Sequence, residues 1–161
     1  MSFLKKIFRK QNINPDTGAM PKRSLNLQFE PIPQNGEKFA TQFVDAVKKN
    51  ENKDLDYSIE TLTFVDDFLQ RFSDQGLTVN NFAETIFVAG AYAGQVMIND
   101  NNGIWIDQNK VDDLHQNISM MPIVIKLPNG NIVDPIAKAF KRFHYGATDS
   151  IAYFYQVFTT E

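Results

Sequence analysis

Cysteine is absent from the 161 residues, and histidine occurs only twice, as His115 and His144. The first absence removes disulfide frameworks, thiolate nucleophiles and Cys-based zinc sites together. The second leaves no histidine pair at metal-ligand spacing. No apolar run approaches the roughly 20 residues needed to span a bilayer. Residues 1–10 are interrupted by Lys5, Lys6, Arg9 and Lys10, so they lack the continuous apolar core of about 7–15 residues that a signal peptide needs. The expected compartment is therefore the cytoplasm.

Catalytic signatures are equally scarce. Gly90-Ala91-Tyr92-Ala93-Gly94 sits inside an apolar helical pattern and lacks the Lys-Ser/Thr of a phosphate loop, and no G-x-S-x-G elbow occurs. The turn at 99–103 lacks the alternating acidic ligands and closing glutamate of a calcium loop. Asp112, Asp113 and His115 read as a polar loop rather than a metal cluster. No cofactor and no metal are expected.

What is present is the material of one core. Phenylalanine occurs 14 times and hydrophobic residues make up 43% of the chain, which excludes a disordered composition. The net charge of −3 conceals an asymmetry: residues 1–23 hold six basic side chains against Asp16 alone, leaving ten basic and eighteen acidic residues beyond. An acidic body is a poor nucleic-acid ligand, because neutralising phosphates supplies most of that affinity.

The chain divides into residues 1–34, an amphipathic segment followed by a Pro-containing tether, and a single domain over 35–161. Phe3, Leu4, Ile7 and Phe8 share one helical side opposite the basic residues. Leu25, Leu27 and Phe29 alternate with polar residues as in a short edge strand. Phe39, Phe43, Ala46 and Val47 mark a first helix. Ser58 is placed to cap a second, with Tyr57 and Leu62 as a hydrophobic staple and Gly76 as the stop. A third runs from Thr78 or Asn80 to Ile98. Within it, Gly90 and Gly94 each cost about 1 kcal/mol against Ala, so close approach of another element is expected there.

Ile104-Trp105-Ile106 reads as a strand, with Trp105 expected beneath the sheet. Asn129-Gly130 between two apolar runs predicts a hairpin. Asp134-Pro135 opens a fourth helix, and Thr148 or Asp149 caps a fifth. The fold class is α+β: about five helices with a small three-stranded antiparallel sheet between the third and fourth.

The segment Gly90-Ala91-Tyr92-Ala93-Gly94-Gln95-Val96, followed by Gly103-Ile104-Trp105, resembles the motif G-x-Y-x-G-E-V…G-x-W. That motif belongs to uncharacterised small bacterial cytosolic proteins of the domain-of-unknown-function type. Asp134-Pro135-x-x-Lys138 and Gly146-x-x-Asp149-Ser150-Ile151 fit the same pattern, and the likeness covers about residues 55–158. It implies no known activity. Where the family has glutamate, this chain has Gln95, and an amide cannot replace a carboxylate in proton transfer. The resemblance therefore favours a structural or binding use.

The function expected is a non-enzymatic protein-binding module, with a toxin-neutralising immunity-type protein as its most concrete form. Its partner is another, basic protein, met by acidic side chains around an aromatic anchor. The candidate partner-binding residues are Asp66, Asp67, Asp112 and Asp113, all expected on the surface, together with Tyr92, Gln95 and Trp105. One alternative is a peripheral membrane or envelope-associated scaffold in which residues 1–10 make weak membrane contact. Another is an enzyme using carboxylates such as Glu84 or Asp149.

Overall fold

The computed structural model describes residues 18–111 and 121–159. Among these residues five helices appear: α1 (Gly36–Glu51), α2 (Thr61–Asp74), α3 (Val79–Asn101), α4 (Pro135–Tyr145) and α5 (Ile151–Thr159). Between α3 and α4 lie three strands, β1 (Ile104–Asp107), β2 (Ile123–Lys126) and β3 (Ile132–Val133). They form an antiparallel sheet in the order β1-β2-β3, with Trp105 opposite Ile125 and Ile125 opposite Val133. The fold is α+β, as the segregation of helices and strands predicts.

α3 is the axis. Every residue from Ile86 to Met97 is buried, so over this stretch the helix has no solvent face and must be enclosed. Its main neighbours are α4 and α1. Small residues make the crossing with α4 tight. A Cβ on Gly90 would lie 2.5 Å from the Ile136 Cα, and one on Gly94 would lie 2.5 Å from Trp105 Cη2 and 2.8 Å from Pro135 Cγ. The close approach predicted at both glycines is present. It offsets the helix penalty with dispersion contacts that a larger residue would block.

Caps follow local chemistry. Thr78 and Asn81 form a reciprocal capping box at the start of α3. Asp134 accepts from the Ala137 N–H at 3.0 Å, with Pro135 in the first turn of α4. The β2–β3 hairpin closes through Leu127 and Asn131, with Gly130 at φ +90°. α3 outlasts its expected end at Ile98 by three residues, stopping when Asn102 turns left-handed at φ +57°, a conformation asparagine tolerates.

Three local expectations fail. Ser58 does not cap α2. Its N–H is taken by Asp56 Oδ1, it lies in a turn closed by the Thr61 N–H, and the helix begins at Thr61. Tyr57 therefore makes no staple with Leu62; it sits at φ +64° with its ring 4.9 Å from that of Tyr92. Nor do Thr148 and Asp149 cap α5. They lie in a short 3-10 turn, and the Ser150 hydroxyl takes the Tyr153 N–H.

The third failure is the tether, whose described part, residues 18–34, lies on the body. Ala19 and Met20 are buried, and Leu25, Leu27 and Phe29 pack against the core. The Arg23 guanidinium forks onto both oxygens of Glu84 at 2.6 and 2.7 Å and also reaches the Asn80 carbonyl. Prolines bar a long helix here, but they do not bar an extended chain from packing. Residues 1–17, and with them the expected amphipathic segment, lie outside the described residues. No helix among the described residues is long and apolar enough to cross a membrane.

Candidate functional site

The five described residues among the seven proposed from sequence do not form one surface. Asp66, expected on the surface, is buried. Its Oδ1 accepts from the Ile151 N–H at 2.7 Å, and its Oδ2 accepts from the Ser150 hydroxyl at 2.9 Å and the Ala152 N–H at 3.2 Å. Arg142, also buried, brings its Nε to 3.2 Å of Oδ1. That contact is an ion pair without hydrogen-bond geometry; Arg142 Nη1 donates instead to Gln70 Oε1 at 2.6 Å. Asp66 is thus the cap of α5, supplied from α2. A carboxylate is tolerated inside because its lone pairs and charge are met there. Asp67, next to it, faces outward and is exposed. Asp112 and Asp113 lie outside the described residues.

Tyr92, Gln95 and Trp105 are also structural. Tyr92 is fully buried, its hydroxyl oxygen accepting the Tyr57 N–H at 3.0 Å and lying 2.7 Å from Thr61 Oγ1. Burial pushes its phenol pKa up, while the Thr61 and Tyr57 contacts pull it down. Trp105 is wedged between helices: a Cβ on Gly36 would lie 2.3 Å from its Cδ1, and one on Gly94 2.5 Å from its Cη2. Its indole N–H donates to Gln95 Oε1 at 3.1 Å, and Gln95 Nε2 donates to Asn99 Oδ1 at 2.9 Å. Gly94, Gln95 and Trp105 of the motif therefore converge on one packed contact.

The carboxylates of the enzyme alternative are engaged as well. Glu84 takes the Arg23 fork and the Asn26 N–H, and the arginine contact holds its carboxyl down at about 2. A general base serves best near the working pH. Asp149 is 2.9 Å from Lys138 Nζ. Among the described residues, no group of three or more His, Asp or Glu side chains is arranged to hold a metal ion.

What remains open is a groove of about 530 Å³ between residues 28–34 and α1. Glu37, Thr41 and Asp45 line it one helical turn apart, all exposed, because positions i, i+4 and i+8 share a helix face. Phe29 forms another wall, its ring 5.7 Å from the Phe39 ring and capped by Lys38 Nζ at 5.6 Å. Gln42 also lines the groove, and its enclosed Oε1 has no hydrogen-bond partner among the described residues. Neither Glu37 nor Asp45 has an ion-pair partner among the described residues.

Tyr57 adjoins this face. Burial raises its phenol pKa most; the Thr41 hydroxyl opposes that, and the charges of Glu37 and Asp45 add to it. A bulky residue at positive φ is a genuine outlier, and strain of this kind collects at functional sites. Here the tilted ring contact with Tyr92 and the bond from the Tyr57 N–H hold it in place.

A second recess, of about 410 Å³, is lined by Phe43, Phe68, Phe72 and Phe82. Its charged rim is already satisfied: Arg71 lies over the Phe68 and Phe72 rings and pairs with Glu51 at 2.7 Å. The α1 groove is the better candidate because its charges are unspent. Sequence reasoning missed it, since acidic residues on the outer face of an amphipathic helix are ordinary; the one usable signal was the i, i+4, i+8 spacing beside an aromatic. Comparison with known proteins finds no family model, no curated protein and no solved structure that matches this chain.

Proposed function

We propose that this chain is a non-enzymatic protein-binding module whose α1 groove receives a basic side chain of its partner. The observation that carries this reading is the pair of exposed carboxylates, Glu37 and Asp45, in one groove with no cation assigned to either among the described residues. Glu37 and Asp45 lie two turns apart, about 12 Å along the helix. An arginine or lysine entering the groove therefore gains a charge-assisted hydrogen bond from one of them and the field of the other, and Gln42 Oε1 is one further acceptor within the same walls. The acidic body supports capture, because opposite potentials speed encounter within a Debye length of about 10 Å at 0.1 M salt. An immunity-type protein covering a basic toxin is one concrete form of this activity. The membrane alternative depends on residues 1–10, outside the described residues.

The test is capture of partners from the native cell by the wild-type chain and by a Glu37→Lys, Asp45→Lys variant. The expected result is a protein retained by the wild type and lost by the variant, with retention falling as salt rises. Equal retention by both would remove the groove from the binding surface.

A further inference from the structure

The segment leading into the groove has a property that α1 lacks. From Ser24 to Glu30 burial alternates without a break: Leu25, Leu27 and Phe29 face the core, and Ser24, Asn26, Gln28 and Glu30 are exposed. That is the period of an extended strand, which the chain leaves where it bends at Gln28 and Phe29. Yet the segment belongs to no sheet, and no backbone–backbone hydrogen bond reaches residues 24–29 among the described residues. The Asn26 N–H is spent on Glu84 Oε2 at 2.8 Å. In an extended chain, successive residues direct their N–H and C=O groups to opposite edges. The edge turned away from Glu84 therefore belongs to Leu25 and Leu27, and its backbone groups are unpaired among the described residues. Gln28 and Phe29, at the end of this edge, are themselves walls of the groove.

An unpaired edge is a template for another strand. Main-chain bonds along it give affinity, and side-chain pockets beside it give specificity. We infer that the partner presents an extended segment that pairs along Leu25 and Leu27 and delivers an arginine or lysine into the groove between Glu37 and Asp45. The inference rests on the groove reading above. Charge decides the occupant: Glu30, Glu37 and Asp45 are all exposed around the end of the edge, against Lys38 alone, whose ammonium lies over the Phe29 ring. A strand carrying a carboxylate at that position would meet two like charges.

The experiment uses the full chain and three short synthetic peptides. The first alternates threonine and valine around one central arginine, the second has glutamate in place of the arginine, and the third is the arginine peptide N-methylated at the backbone on both sides of the arginine. Affinity and residue-resolved amide exchange are measured together. The expected result is that the arginine peptide binds and slows exchange at Leu25 and Leu27, while the other two bind at least about tenfold more weakly. If the arginine peptide binds over the glutamate one, but methylation costs nothing and the two amides exchange as before, strand pairing is overturned and the groove reading survives. If the arginine and glutamate peptides bind equally, with both amides protected, the groove reading is overturned and strand pairing stands. If no peptide binds at millimolar concentration, both fall.

Discussion

α3 meets α4 and α1 under opposite rules. Against α4 it is closed to the last ångström, so that a single added methyl at Gly90 would strike backbone. α1 packs Phe39, Phe43 and Val47 inward against the core while its other face, with Glu37, Thr41 and Asp45, borders open space. The first contact leaves no room for a ligand and the second leaves charge unspent. The contrast separates residues that hold this protein together from those free to meet something else. Tyr92, Gln95 and Trp105 are among those that hold it together: Tyr92 is bonded to Tyr57 and Thr61, and Trp105 to Gln95.

The sharpest break of that comparison is at Asp66 and Asp67, neighbours on α2 with opposite fates. Asp66→Ala leaves Arg142 buried without its counter-charge and strips the cap from α5. Removing one member of a buried pair costs about 3–5 kcal/mol, or a melting temperature lower by roughly 10 °C in a chain of this size. Asp67→Ala, on the exposed side, should stay within about 0.5 kcal/mol. Thermal melting of the two variants side by side checks it, and similar midpoints would mean that Asp66 is solvated.

Gly90 and Gly94 come next. Gly90→Ala places its methyl against the Ile136 Cα, which cannot swing aside, so overpacking of about 1–3 kcal/mol outweighs the helix-propensity gain of about 1 kcal/mol. At Gly94 the nearest atoms belong to the side chains of Trp105 and Pro135. The indole can tilt at the expense of its bond to Gln95, so Gly94→Ala should lose less than Gly90→Ala. Denaturant midpoints of the two variants give the order. A reversed order would place the rigid contact at Trp105 instead.

These two regions were not equally legible in the sequence. The closed side announced itself, since a glycine pair inside a helix is costly enough to demand a cause, and the Asn-Gly hairpin and the Asp-Pro helix start are local signals with few alternatives. The five helices and three strands follow from such signals. Asp66 was illegible because its role is set by Ser150 and Arg142, far along the chain. The same holds for Ser58, a good cap by type that lost its position to the turn around Tyr57. The docking of residues 18–34 was hidden behind prolines that speak only against helix. As for the groove, three polar residues on a helix face look alike whether they line a recess or open water.

A smaller effect tests how firmly residues 18–30 lie on the body. Glu84 has its pKa lowered from 4.5 to about 2 by the Arg23 hydrogen bonds. A depressed carboxyl contributes stability that is present above its unfolded value and lost as pH falls through the folded one. The contribution should therefore fade between about pH 4.5 and pH 2. Both side chains are about one-third exposed, at 37% and 32%, so the pair contributes at most about 1 kcal/mol. Exchange protection of the Asn26 amide should fall over this window in the wild type and be low at all pH values in Glu84→Gln. Unchanged protection at pH 2 would show that packing of Leu25 and Leu27 alone holds the segment.

The smallest stability effect belongs to the groove, which makes it the cleanest test of the open side. In the double variant Glu37→Gln, Asp45→Asn, only the first substitution touches the helix dipole, because Glu37 lies in the first turn of α1. Losing a carboxylate there costs about 0.3–1 kcal/mol at low salt and less when screened. Asp45 sits in the helix interior, where aspartate and asparagine have similar propensities. The melting temperature should therefore barely move. The phenol of Tyr57 should move more clearly: Glu37 and Asp45 both raise its pKa, so neutralising them should bring it down, while burial keeps it above its ordinary value. Titration of the assigned Tyr57 ring resonances in the two proteins measures this. A drop in pKa with an unchanged midpoint places both carboxylates at the ring without any share in the fold. A Tyr57 pKa that stays put would mean that the acidic side chains face away from the ring.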